Sequence, residues 1–136
     1  MRIELTATPN PKDDEFIAEQ TRAYNAQFLG NEFTPISVYA RDQQKTIIGG
    51  LTGKAYWRWL HIDYLWVDAE HRHSGLGSQL MQAAEDAATE HGCTGVMLDT
   101  FSFQAPDFYH KLGYRTFGHL DGYEQDHHRY FLAKRL

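Results

Sequence analysis

Hydrophobic and polar positions alternate along this chain in two different periods, and the points where one period gives way to the other mark its elements. Residues 2–7, Arg-Ile-Glu-Leu-Thr-Ala, alternate and predict a first strand. Asp13, Asp14 and Glu15 place acids where a helix dipole favours them, and open a helix expected to stop near Gly30. After a loop over residues 31–35, the runs 36–41 and 46–52, with a polar turn between them, read as a hairpin. Residues 59–67 form the next strand. Its period of two puts Leu60, Ile62, Tyr64 and Trp66 on one face and Trp59, His61, Asp63, Leu65 and Val67 on the other. Both faces carry apolar groups, which predicts a central strand.

From Leu76 the period changes. Leu76, Leu80, Ala84 and Ala87, flanked by Met81 and Ala88, recur at helical spacing against Gln79, Gln82, Glu85, Asp86 and Glu90, and Gly92 supplies the stop. Residues 95–100 follow as a strand, so the stretch from 59 to 100 reads as a βαβ unit with a parallel pair. A short helix over 105–112, with Pro106 in its first turn, and a closing antiparallel pair at 114–120 and 129–136 complete the order. The cluster Tyr56-Trp57-Arg58-Trp59 at the hairpin is read as core by default, with a dimer surface or part of an acceptor pocket as its alternatives. The whole is an α/β chain with one mixed sheet, expected to be a single domain over residues 1–136.

Composition narrows the function classes. At 136 residues, with 42% hydrophobic and 14% aromatic content, the chain suits one core. A formal charge of −5 speaks against binding along a nucleic-acid backbone. The N-terminus lacks an apolar leader run and no stretch is apolar enough to span a bilayer, so a cytoplasmic protein without a membrane partner is expected. Cys93 alone gives no disulfide framework. His71, His73, His127 and His128 are joined by no Cys or carboxylate at zinc spacing, so no metal is expected.

The most informative stretch runs from Leu65 to Leu80. A strand ends at Val67, Arg72-x-x-Gly75-x-Gly77 follows, and a helix begins at once. Glycines let backbone approach an anion, the first helix amides lack intrahelical partners, and the dipole adds partial positive charge, so the loop is a candidate cradle for a pyrophosphate.

This loop, after a strand ending in Val-Asp, resembles the acetyl-CoA loop of the GNAT superfamily of N-acetyltransferases. A second block, Ala105-Pro-Asp-Phe-Tyr109-His-Lys-Leu-Gly113-Tyr114, resembles the family's later segment, in the same order and at a similar separation. The likeness covers roughly residues 36–136. It implies a GNAT-like acyl-CoA N-acyltransferase fold whose two parallel strands splay, and acetyl-CoA as co-substrate. It implies cofactor contacts from Leu65, Trp66 and Val67 and from Arg72, His73, Ser74, Gly75, Leu76, Gly77 and Ser78. Tyr109 matches the family's tyrosine, which lies near the thioester sulfur and donates to the departing thiolate. Asp63 stands four residues before Val67, where many members carry a glutamate base, and His61 is its alternative. Ser102 stands where an asparagine is common. Dimerisation through the final strands, common in similar proteins, makes a homodimer an open assembly.

The expected activity is acetyl transfer from acetyl-CoA to a primary amine, taken to be that of a small molecule. The acceptor site is expected from residues 24–35 and 119–128. The competing readings are a non-catalytic CoA-binding module, a protein-lysine acetyltransferase, and a nicotinamide-dependent oxidoreductase. The last is opposed by Leu80, where a third small residue is needed, and by the long gap from Val67 to Gly75.

Overall fold

In a computed structural model that describes residues 1–136, the chain divides into two units, Met1–Glu32 and Phe33–Leu136. In the first, residues 2–7 form no strand, contrary to their alternation. Alternation makes a strand only where a ladder partner exists. Here Arg2 pairs locally with Glu4, and Thr6 bonds Thr8. Helix α1 spans Pro11–Asn25. The Asn10 side chain accepts from the Lys12 amide at 2.9 Å, and Pro11 fills the first turn, where its missing N–H costs nothing. The helix ends short of Gly30. The Arg22 carbonyl accepts both from the Ala26 amide at 2.9 Å and from the Asn31 side chain at 2.8 Å, which ties the chain after the helix back to its last turn.

The second unit is a six-stranded mixed sheet in the order β1-β2-β3-β4-β6-β5. Its strands are β1 Thr34–Arg41, β2 Ile47–Tyr56, β3 Trp59–Val67, β4 Gly95–Phe101, β5 Arg115–Leu120 and β6 Arg129–Arg135. Helix α2, Leu76–Glu90, joins β3 to β4, and the short helix α3, Pro106–Lys111, joins β4 to β5. Strand β2 runs four residues beyond the expected 46–52 and turns into β3 through Trp57 and Arg58. Both take left-handed backbone (φ 50° and 70°), the twist a two-residue hairpin needs.

β3 is central, as its two apolar faces predict, but those faces are not continuous. Thr52 pairs with Tyr64 and Gly53 with Ile62, so Asp63 is the extra residue of a β-bulge. Gly53 is required beside it, because a Cβ there would lie 2.3 Å from the His61 carbonyl oxygen. The bulge reverses the alternation. Leu60 and Ile62 are buried, after which Leu65 packs on the core while Tyr64 (77% exposed) and Trp66 (50%) point away.

Met81, Ala84 and Ala88 of α2 pack on Leu51, Leu60, Ile62, Val96, Leu98 and Leu132 of the sheet, and Leu80 is buried as well. Glu85, which its charge assigns to the polar face, is also buried. It accepts from the Tyr114 hydroxyl and the Lys134 ammonium, each at 2.9 Å, and that pairing offsets the cost of burying a carboxylate. β3 and β4 are parallel neighbours only from Trp59↔Gly95 to His61↔Met97. Beyond that rung β3 stays with β2 and β4 with β6, so the sheet splits.

Candidate active site

The Arg72–Gly77 loop closes the strand end onto the helix start. Arg72 Nε donates to the Val67 carbonyl at 3.0 Å, so its side chain shapes the loop. His73 (φ 61°) and Gly75 (φ 84°) are left-handed on either side of Ser74, whose hydroxyl bonds the His71 carbonyl. Alternating backbone of this kind turns successive amides toward one side, as in anion-binding nests. Gly75 is the N-cap of α2 and its carbonyl accepts from Gln79, the first intrahelical bond, leaving the amides of Leu76, Gly77 and Ser78 unclaimed. A cavity of about 620 Å³ lies over them, walled by Leu65, Val67, Arg72, His73, Gly75 and Phe108 among others. A Cβ on Gly77 would meet the Phe108 ring at 3.1 Å, so a side chain there crowds the cradle and asks the ring to give by a few tenths of an ångström. Open amides, a dipole and missing Cβ atoms fit a diphosphate.

Not every expected contact faces this cavity. Trp66, Ser74 and Tyr109 lie outside its walls; the bulge sends the Trp66 ring to the other side, Ser74 is engaged with the loop itself, and the Tyr109 ring packs behind Phe108, which does line it. Sequence reasoning missed Lys111, which lines it from the last residue of α3, two residues beyond Tyr109.

A second cavity, about 550 Å³, occupies the split. His61, Asp63 and Tyr64 line it from β3, Lys54 from β2, Asp99 and Phe101 from β4, and Arg129 from β6. Asp99 and Arg129 were also missed, because Asp99 reads as an ordinary strand polar residue until β6 is placed beside β4. Arg129 sets both Nε and Nη2 against Asp99 Oδ1 at 2.9 Å and lies over the rings of Phe101 and Phe131. Its pKa is held above its ordinary value, first by the Tyr123 hydroxyl and then by Asp99.

Tyr109 is half-buried, with its ring centroid 5.0 Å from Phe108 and 6.1 Å from Tyr114. Its hydroxyl makes no hydrogen bond within the protein. Burial first, and the Asp99 carboxylate second, push its pKa up to about 12, so it stays protonated at neutral pH. His61 has its pKa lowered by burial, with Lys54 acting the same way and Asp63 opposing. A third cavity of about 1000 Å³ shares the His61 and Met97 walls and takes in Tyr56, Trp57 and Trp59, which therefore border open space instead of the expected core. Ser102 is structural: its hydroxyl pairs with His127 Nδ1 and accepts from the His128 amide, each at 3.0 Å. Burial raises the pKa of the Cys93 thiol, which disfavours a thiolate nucleophile.

A split parallel pair, with open helix amides beside one strand and a second cavity in the split, fits the frame of an acyl-CoA-dependent transferase. The sequence profile of the acetyltransferase (GNAT) family matches residues 2–114, and the chain belongs to that family. It is 42% identical to the blasticidin-S acetyltransferase of Streptomyces morookaense over 109 residues, 77% of this chain and 80% of that one. The crystal structure of an acetyltransferase from Bacillus cereus superposes with a TM-score of 0.89 at 38% identity, covering 98% of each chain. A Bacillus anthracis acetyltransferase solved with acetyl coenzyme A matches 78% of this chain and 65% of its own, with a TM-score of 0.69 and 25% identity. The protein is an acetyltransferase that uses acetyl-CoA, which sets aside the oxidoreductase and non-catalytic readings. No helix is long and apolar enough to cross a membrane.

Proposed function

We propose that this acetyltransferase, a single domain over residues 1–136, moves the acetyl group to a primary amine of a small molecule by direct transfer. The observation that carries this reading is the split between β3 and β4, with the loop cavity on one side and a cavity lined by His61, Asp63 and Asp99 on the other. The family profile crosses both units, which supports the single-domain reading. The relative named for blasticidin-S, a small molecule, supports the acceptor class.

Bound acetyl-CoA supplies an acetyl thioester, with an electrophilic carbonyl carbon and a thiolate leaving group. The amides of Gly75 to Ser78 hold its diphosphate. Leu65 and Val67, on the loop side of β3 after the bulge, contribute backbone to the pantetheine arm. Asp63 lines the cavity the amine enters and stands where the family's base is expected. Tyr109 faces the leaving sulfur as a hydrogen-bond donor. With its pKa at about 12 against about 8.5 for a thiol, outright proton transfer is uphill by about 3.5 units, roughly 5 kcal/mol. Tyr109 therefore stabilises the thiolate by donating a hydrogen bond, and water completes the protonation.

The test is a thiol-release screen with acetyl-CoA against polyamines, aminoglycosides, amino acids, lysine peptides and blasticidin-S. Turnover with a small amine and none with peptides is the expected result. Turnover confined to lysine peptides would transfer the case to a protein acceptor.

A further inference from the structure

We infer that His61, set where β3 and β4 part, is the group that takes the proton from the acceptor amine, and that Asp63 serves beside it as a charge partner. This rests on the amine-transfer reading above. His61 and Met97 form the last rung of the parallel ladder, so the imidazole stands at the apex of the split, in the wall of the cavity that holds Asp63 and Asp99. Its ring stacks on Tyr56 with centroids 4.9 Å apart and planes 21° from parallel, which fixes its orientation. Neither ring nitrogen is hydrogen-bonded within the protein, so both are available to a bound molecule.

Asp63 has a different setting. It is the unpaired residue of the bulge and is exposed. An imidazole as a class titrates near the operating pH, which matches it to proton abstraction near neutral pH. The bulge thus brings a negative charge close to the ring without making that charge the proton acceptor.

The surroundings decide when His61 can act. Lys54 faces it from β2 and Asp63 from β3, with the paired Asp99 and Arg129 across the split on β4 and β6. On the side of the larger cavity stand Arg115 of β5 and Lys134 and Arg135 of β6. Burial and Lys54 outweigh Asp63 and keep the ring below its ordinary 6.5. The ring is therefore neutral at pH 7 and gains a proton only as the pH falls below 6.5. In the reaction the amine nitrogen bonds the carbonyl carbon, its proton passes to a ring nitrogen of His61, the C–S bond breaks, and the thiolate leaves to be protonated by water. The imidazolium, stabilised by Asp63, returns its proton to solvent.

The test compares wild type, His61→Gln and Asp63→Asn on the best amine from the screen, over pH 5.5 to 9, with acetyl-CoA affinity measured by calorimetry. Loss of one general base predicts that His61→Gln slows kcat/KM by about 10²–10⁴-fold and removes its acid limb, with acetyl-CoA affinity retained. Asp63→Asn should keep the limb and lose less than about tenfold. Added imidazole should partly restore His61→Ala. Proton NMR of the substrate-free wild type, assigned by difference from His61→Gln, should show the ring titrating below 6.5. A His61→Gln rate close to wild type, loss of the limb in Asp63→Asn instead, or a ring midpoint above 6.5 overturns the inference. Wild-type turnover with His61→Gln unaffected sinks His61 alone and leaves amine transfer standing, while the NMR midpoint tests His61 with no substrate present.

Discussion

The cavity over the loop and the cavity in the split are built from different material. Over the loop, the wall facing a ligand is backbone: the amides at the start of α2, a left-handed Gly75, and a Gly77 pressed near Phe108. In the split, the wall is side chain: Lys54, His61, Asp63, Asp99 and Arg129, carried on four strands. A site made of backbone fails when atoms are added, because an added side chain occupies the space in which the open amides meet their ligand. A site made of titratable side chains fails by degrees, as groups are removed or change charge.

The largest effect therefore belongs to Gly77. Gly77→Glu would set a Cβ 3.1 Å from the Phe108 ring and bring a carboxylate to the place proposed for a diphosphate. Acetyl-CoA binding should fall out of the calorimetric range, by more than about 100-fold or about 2.8 kcal/mol, while the far-ultraviolet circular dichroism stays that of the native fold. Unchanged affinity would put the diphosphate elsewhere and erase the contrast between the two cavities.

Tyr109→Phe is the next largest. It keeps the ring against Phe108 and Tyr114 and removes only the hydroxyl, which has no partner in the protein to lose. Removing one donor aimed at developing charge should slow turnover by about 10²–10³-fold, with acetyl-CoA affinity nearly unchanged. Near-normal turnover would make the hydroxyl structural and leave the sulfur to water.

How far each cavity could be read from the sequence follows the same division. The loop is contiguous in sequence, so the spacing of Arg72, Gly75 and Gly77 and the switch of period at Leu76 announce it. The α2 core face was legible for the same reason, except at Glu85, whose partners Tyr114 and Lys134 lie 29 and 49 residues away. The split cavity was not legible. Its Asp99–Arg129 pair spans 30 residues and exists only because β6 inserts between β4 and β5. The bulge at Asp63 was invisible because period-two patterning assumes an unbroken ladder; Tyr64 and Trp66, exposed after it, are as apolar as the Leu65 that turns inward. The end of β2 was hidden by a turn made from Trp57 and Arg58, which carry none of the usual Asn-Gly chemistry.

The smallest effect tests whether the side-chain cavity depends on the buried trio next to Tyr109. Tyr114 donates to Glu85 at 2.9 Å, and Lys134, bound to the same carboxylate, lies 5.7 Å over the Tyr114 ring. Burial first, and then the Glu85 charge, raise the Tyr114 pKa well above its ordinary 10. The folded protein thus holds that proton more tightly than the unfolded chain. The corresponding stability is complete below pH 10 and is lost as the pH rises beyond it. Tyr109, raised to about 12, adds a limb of the same sign. Tyr114→Phe should cost about 1–3 kcal/mol at pH 7, since it leaves a buried carboxylate with one fewer donor. It should also flatten the alkaline fall, leaving the part due to Tyr109. Urea denaturation at pH 7 and at pH 11 measures both. An alkaline fall as steep as wild type would show that the Tyr114–Glu85 bond does not set it. Turnover within a few-fold of wild type at pH 7 would show that Tyr109 holds its place by packing alone, while a loss approaching that of Tyr109→Phe would make the trio part of the side-chain cavity's working frame.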